Sequence, residues 1–217
     1  MSQELSQAFI AFAIEKQVLQ FGEFTTKAGR ISPYFFNAGL FNDGDSLLKL
    51  GEFYAQSIQK SGIKFDMLFG PAYKGIPLVT AIAIAFAKNG HNYTVAYNRK
   101  EAKDHGEGGV IVGAPLCGRV LIIDDVISAG TSIRESIALI TKNGATPSGV
   151  SLALDRQEKG LGTLSAVQEV EKNHKLPVVS IANLTDLLHF IEENAAMAQS
   201  LLGVSHQVKA YRDLYGI

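Results

Sequence analysis

Between residues 65 and 184, hydrophobic positions come in short unbroken runs separated by stretches of helical spacing. FDMLFG (65–70), YTVAYN (93–98), GRVLIIDD (118–125), SGVSLALD (148–155) and LPVVSIA (176–182) are nearly continuous apolar runs. Such runs predict strands buried on both faces. GIPLVTAIAIAFAKNG (75–90) and TSIRESIALITKNGA (131–145) lie between them, as does a segment around Leu164–His174, and all three have helical spacing. Pro77 stands near the start of the first helix, and Gly144 closes the second. Strand and helix alternate, so the fold class is α/β, a mostly parallel sheet flanked by helices. Upstream, Leu5, Phe9, Phe12 and Leu19 predict an amphipathic helix stopped by Gly22. EFTTKAGRISPYFF (23–36) predicts a hairpin that turns at Lys27-Ala28-Gly29-Arg30. A second helix is expected from about Ser46 to Lys60, ending at Gly62. The tail from Thr185 reads as helical and packed on the outside.

The chain has 217 residues, enough to bury a core without staples. We expect one domain over 1–217, made of an N-terminal helix and hood region (1–64), an α/β core (65–184) and a helical tail (185–217). The apolar fraction is 47% and the net charge −1, which gives no global electrostatic case for nucleic acid or an acidic membrane. Cys117 is the only cysteine, so no internal disulfide forms, in keeping with a reducing cytoplasm. The N-terminus has no basic segment before an apolar core. The longest apolar-rich run, Ile76–Ala87, is too short to span a bilayer. The expectation is a soluble cytoplasmic protein.

In an open α/β sheet, ligands sit beyond the carboxyl ends of the strands. VLIIDDVISAGTS (120–132) reaches that edge with two adjacent carboxylates, Asp124 and Asp125. They can hold a divalent cation or accept hydrogen bonds from a vicinal diol. Val126, Ile127, Ser128, Ala129, Gly130, Thr131 and Ser132 then form a small, hydroxyl-bearing loop that opens a helix, with Thr131 as its expected cap. A helix N-terminus of this kind cradles an anion. One sugar phosphate satisfies both the acids and the loop. The loop FGPAYKGIP (69–77) frames Tyr73 and Lys74 between glycines at a second strand end. NRKEAKDHGEGG (98–109) alternates Arg99, Lys100 and Lys103 with acids around His105, and its glycines suit a lid. Arg156, in ALDRQEKG, offers a planar fork suited to a carboxylate. Cys117 reads as a packed small residue. His91, His174, His189 and His206 show no metal-ligand spacing.

VLIIDDVISAGTS resembles the phosphoribosyl-pyrophosphate (PRPP) motif of the type I phosphoribosyltransferase family. FGPAYKGIP, YNRKEAKDHGEGG, KAGRISPYFFNAG and LDRQE resemble its orotate branch, and the likeness runs from about residue 9 to the C-terminus. The resemblance implies that fold, with an N-terminal hood over the base. It implies transfer of ribose 5-phosphate from PRPP to orotate, giving orotidine 5-monophosphate and pyrophosphate in de novo pyrimidine biosynthesis. Asp124 and Asp125 would hold the ribose hydroxyls, and residues 126–132 the 5-phosphate. Tyr73, Lys74, Arg99, Lys100, Lys103 and His105 would meet the pyrophosphate. Lys27, Phe35, Phe36, Ser128 and Arg156 would hold orotate. Lys103, His105, Asp124 and Asp125 would carry catalysis. Mg²⁺ would be held mainly through PRPP, without direct protein ligands. The partner implied is a second copy of the chain, with loop 99–109 reaching the neighbouring site.

Two other readings keep the same motif. A transferase for another base needs neither Arg156 nor Phe35. A non-catalytic PRPP sensor usually adds a basic DNA-binding module, for which this chain has no spare length.

Overall fold

The computed structural model describes the chain except residues 1–2, 27–28, 104–108, 128–129, 161 and 195–201. Helix α1 (Gln3–Glu15) leads to strands β1 (Leu19–Thr25) and β2 (Ile31–Phe36) and then helix α2 (Gly44–Ser61). Next come β3 (Met67–Gly70), α3 (Gly75–Lys88), β4 (Thr94–Lys103), β5 (Gly109–Gly113), β6 (Arg119–Val126), α4 (Thr131–Lys142) and β7 (Thr146–Asp155). The chain ends with α5 (Ala166–His174), β8 (Val178–Asn183), α6 (Leu184–Glu193) and α7 (Leu202–Tyr215).

The main sheet has the order β5-β4-β3-β6-β7-β8. All its neighbours are parallel except β5, which runs antiparallel to β4. Strand alternation divides the core between the two faces. Leu68, Leu121, Ile123, Ala153 and Ile181 face a core shared with α1, α2, α3, α6 and the β1-β2 hairpin. Met67, Phe69, Val120, Ile122 and Leu152 face a second core with α4 and α5. The continuous apolar runs therefore follow from helices covering both sides. A methyl group at Gly51 of α2 would stand 2.5 Å from the Ala81 carbonyl oxygen of α3, so those helices touch backbone to backbone.

Four expectations change here. The first helix stops seven residues before Gly22. Gln17 takes φ 56°, and Gln17 and Val18 donate to the carbonyls of Ile14 and Ala13, a turn that satisfies the helix end without glycine. Leu19 and Gly22 belong instead to β1, whose apolar positions happen to continue the helical spacing. The expected lid at 98–109 is largely strand: Arg99, Lys100 and Lys103 lie on β4, which pairs with β5 across residues 104–108. Cys117 is exposed rather than packed. The tail is more than an outer layer, because Val208 and Tyr211 of α7 are buried in the first core, and Tyr211 meets Tyr34 of the hairpin edge-on at 6.3 Å.

Candidate active site

Strand β6 delivers Asp124 and Asp125 to the carboxyl edge, where both are buried. Each carboxylate folds back on its own chain. Asp124 Oδ1 accepts from the Asp125 N–H at 3.0 Å, and Asp125 Oδ1 from the Val126 N–H at 2.9 Å. The Tyr54 hydroxyl, on α2, donates to the Asp124 carbonyl at 2.8 Å and fixes the strand end from beneath. Lys74 Nζ reaches Asp125 Oδ2 at 2.7 Å, so one of the two charges is paired. Burial and the adjacent Asp125 charge push the Asp124 carboxyl well above the ordinary carboxylate range.

The loop after β3 closes tightly. A methyl at Gly70 would collide with the Gly75 carbonyl, and one at Gly75 would stand 2.7 Å from the Gly70 carbonyl carbon. The two glycines therefore pass at backbone contact and throw residues 71–74 outward. The Ala72–Tyr73 peptide is cis. The Ala72 N–H donates to the Asn98 side chain of β4 at 2.9 Å. Tyr73 is exposed, and Lys100 Nζ lies 5.0 Å from its ring centre, a cation–π contact across the loop.

A cleft of about 670 Å³ opens between these elements, lined by Asn98, Arg99, Lys100, Asp124, Gly130 and Ser132 among others. Val126, Ile127 and Thr131 also line it. Thr131 is the first residue of α4 rather than its cap. Gly130 holds the cap position at φ 66°, and Thr131 Oγ1 accepts from Arg134 Nη2 at 3.1 Å. Arg134 was not singled out from the sequence, although its place one turn after Thr131 was available to find it. Asn98 and Tyr54 carried no local signal.

The other residues singled out from the sequence lie on the hairpin and on the loop after β7. Phe35 is 44% exposed and stacks on Phe24, with ring centres 5.3 Å apart. Phe36 alternates inward and packs against Phe9 in the core, so its ring is not a ligand platform and Phe35 alone keeps that reading. Arg156 is not a free surface arginine. Its guanidinium sits 4.3 Å from the Tyr34 ring centre, donates to Ser32 Oγ at 3.0 Å and pairs with Glu158 at 2.6 Å. Lys27, His105, Ser128 and Ala129 lie outside the described residues, as does the side chain of Lys103.

A family model for the phosphoribosyl transferase domain matches residues 40–181. An orotate phosphoribosyltransferase of Chromobacterium violaceum is 65% identical over 99% of this chain and 98% of its own length. That of Neisseria meningitidis is 65% identical over 99% of both. The chain belongs to the orotate phosphoribosyltransferase family. A crystal structure of the Francisella tularensis orotate phosphoribosyltransferase shares its fold, with TM-score 0.85 and 45% identity over 97% of this chain and all of that one. The transferase thus has the type I phosphoribosyltransferase fold, and its matched domain begins after the hairpin and ends within β8.

Proposed function

We propose that the cleft binds PRPP and orotate and joins them into orotidine 5-monophosphate, releasing pyrophosphate. One observation carries this reading: buried Asp124, with Asp125 beside it in the chain, lines a cleft at the N-terminus of α4 that Arg99 and Lys100 also wall. The acids accept hydrogen bonds from the ribose 2- and 3-hydroxyls. Residues 126–132 receive the 5-phosphate at the helix start. Lys74, Tyr73, Arg99 and Lys100 face the pyrophosphate, with Lys103 and His105 completing its shell.

The reaction displaces pyrophosphate from the anomeric carbon. The bond from that carbon to the leaving oxygen breaks with its electrons, and a ring nitrogen of the orotate anion forms the new bond. Charge builds on the leaving group, so fixed cations and backbone N–H groups lower the barrier most. Holding both substrates in line contributes the rest. Mg²⁺, carried mainly on PRPP oxygens, would neutralise the leaving group. Phe35 lies against the base and Arg156 meets its carboxylate, with Lys27 beside them. Lys74 leaves Asp125 when a hydroxyl takes its place, freeing its charge for the diphosphate.

We place the protein in the cytoplasm as a homodimer in which residues 99–109 serve the neighbouring site. No helix among the described residues is long and apolar enough to cross a membrane. The test is orotate consumption, followed by ultraviolet absorbance with PRPP and Mg²⁺, beside uracil, adenine, hypoxanthine and guanine. Orotate alone should turn over, and Arg156→Ala should raise the orotate KM at least about ten-fold, since a charge-assisted contact to the carboxylate is lost. Equal turnover of uracil, which lacks the carboxylate, would overturn the base assignment.

A further inference from the structure

The first residues of the loop after β7 are held by several hydrogen bonds. Asp155 Oδ1 accepts from the Gln157 N–H at 2.9 Å, closing a turn in which Gln157 takes φ 49°. Gln157 Oε1 accepts from the backbone N–H and hydroxyl of Thr185 at the start of α6, at 3.0 and 2.8 Å. The Lys159 N–H donates to the Tyr215 carbonyl at 2.8 Å, and the Ile217 N–H to the Gln157 carbonyl at 3.1 Å. The last residues of the chain therefore pair with this loop as a short antiparallel bridge between Glu158 and Gly216. Arg30, at the end of the hairpin turn, donates to the Lys159 carbonyl at 3.0 Å, lies 4.8 Å from the Tyr215 ring centre and stands 4.0 Å from Glu158.

Glu158 sits at the centre of this arrangement. Its Oε1 takes both Nε and Nη2 of Arg156, at 2.8 and 2.6 Å, and its side chain is only 16% exposed. One edge of the Arg156 fork is thus occupied and the ring plane is set against Tyr34. Tyr211, buried beside it from α7, has its hydroxyl raised above the ordinary range by burial and then by the Glu158 charge.

We propose that Glu158, clamped by Arg30 and by the C-terminal residues Tyr215–Ile217, is a positioning residue that, with Ser32 on Nη2, turns the Nη1 end of Arg156 to the carboxylate of the base. Glu158 does not touch the base. It holds the guanidinium so that a carboxylate finds it already oriented, which is where preorganisation raises affinity. The tail lies outside the matched domain of residues 40–181, and it reaches the base side only by folding back over β2 and the loop. This inference rests on the reading of Arg156 as the base contact.

Steady-state kinetics of Glu158→Gln, Glu158→Ala and a chain lacking Gly216 and Ile217, beside Arg156→Ala, test it. Glu158→Ala should raise the orotate KM about ten-fold, leaving the PRPP KM and kcat within about two-fold, because only base orientation is lost. Glu158→Gln keeps an acceptor for Arg156 and should recover most of that loss. The truncated chain should show the same split in smaller measure. If Arg156→Ala raises the orotate KM while both Glu158 variants match wild type, the positioning role is wrong and the base assignment stands. If Arg156→Ala itself leaves the orotate KM unchanged, the base assignment fails first. Parallel rises in both KM values with a fall in kcat, in variants folded by circular dichroism, would mark Glu158 as merely structural and overturn the proposal.

Discussion

Asp124 shows how a site is made by making a residue uncomfortable. Its carboxyl is almost fully covered and stands beside a second acid, which raises it to about 7 from an ordinary value near 4. A raised carboxyl favours folding only while it stays protonated. The unfolded chain loses that proton near pH 4 and the native one near pH 7, so the contribution is complete below pH 4 and is lost as pH rises through 7. Asp124→Asn removes the penalty of burying the charge. Relative to wild type, the variant should become progressively more stable in urea unfolding as pH rises from 4 to 8. It should at the same time bind PRPP less tightly, because an amide accepts hydroxyls less well than a carboxylate. A variant that tracked wild type at every pH would show that the carboxyl is not raised.

Among the elements, the loop between β3 and α3 depends on two glycines more than on its lysine. Lys74 can be aimed at Asp125 only because Gly70 and Gly75 let the backbone double back at contact distance. Gly75→Ala forces a methyl into the Gly70 carbonyl and the Pro71 ring, both 2.7 Å away or closer, and neither is a flexible side-chain end. We expect a loss of about 2–3 kcal/mol by urea unfolding, together with a rise in the PRPP KM, as overpacking of a rigid site implies. The β4-β5 hairpin is the other element of consequence. It carries Arg99 and Lys100 on a strand that pairs antiparallel with β5.

For the whole molecule, the first core joins the N-terminal helix, the hairpin, the α/β sheet and α7 into one apolar body. The shared-site dimer is tested by complementation. Lys103→Ala and Asp125→Asn should each abolish most activity, and reassembled together they should recover about a quarter of wild type, one intact site in half of the dimers. Absence of recovery despite demonstrated subunit exchange would place Lys103 in its own subunit's site.

Local chemistry was enough for much of this protein. Five apolar runs gave the five parallel strands, since a strand covered on both faces has no polar positions to interrupt it. The placing of Asp124 and Asp125 at a strand end, just before a helix start, was legible because both are set within thirteen consecutive residues. Antiparallel β5 was not read, since a glycine-rich edge strand has too little apolar pattern to distinguish it from a lid. The true end of α1 was hidden because a helix's spacing and a following strand's first residue agreed by chance. Only the tertiary structure separated Phe35 from Phe36, closed Glu158 over Arg156 and brought the last residues of the chain to the base side. Those contacts join Ser32, Arg156 and Tyr215 across long stretches of sequence, and packing between distant elements leaves no local pattern to read.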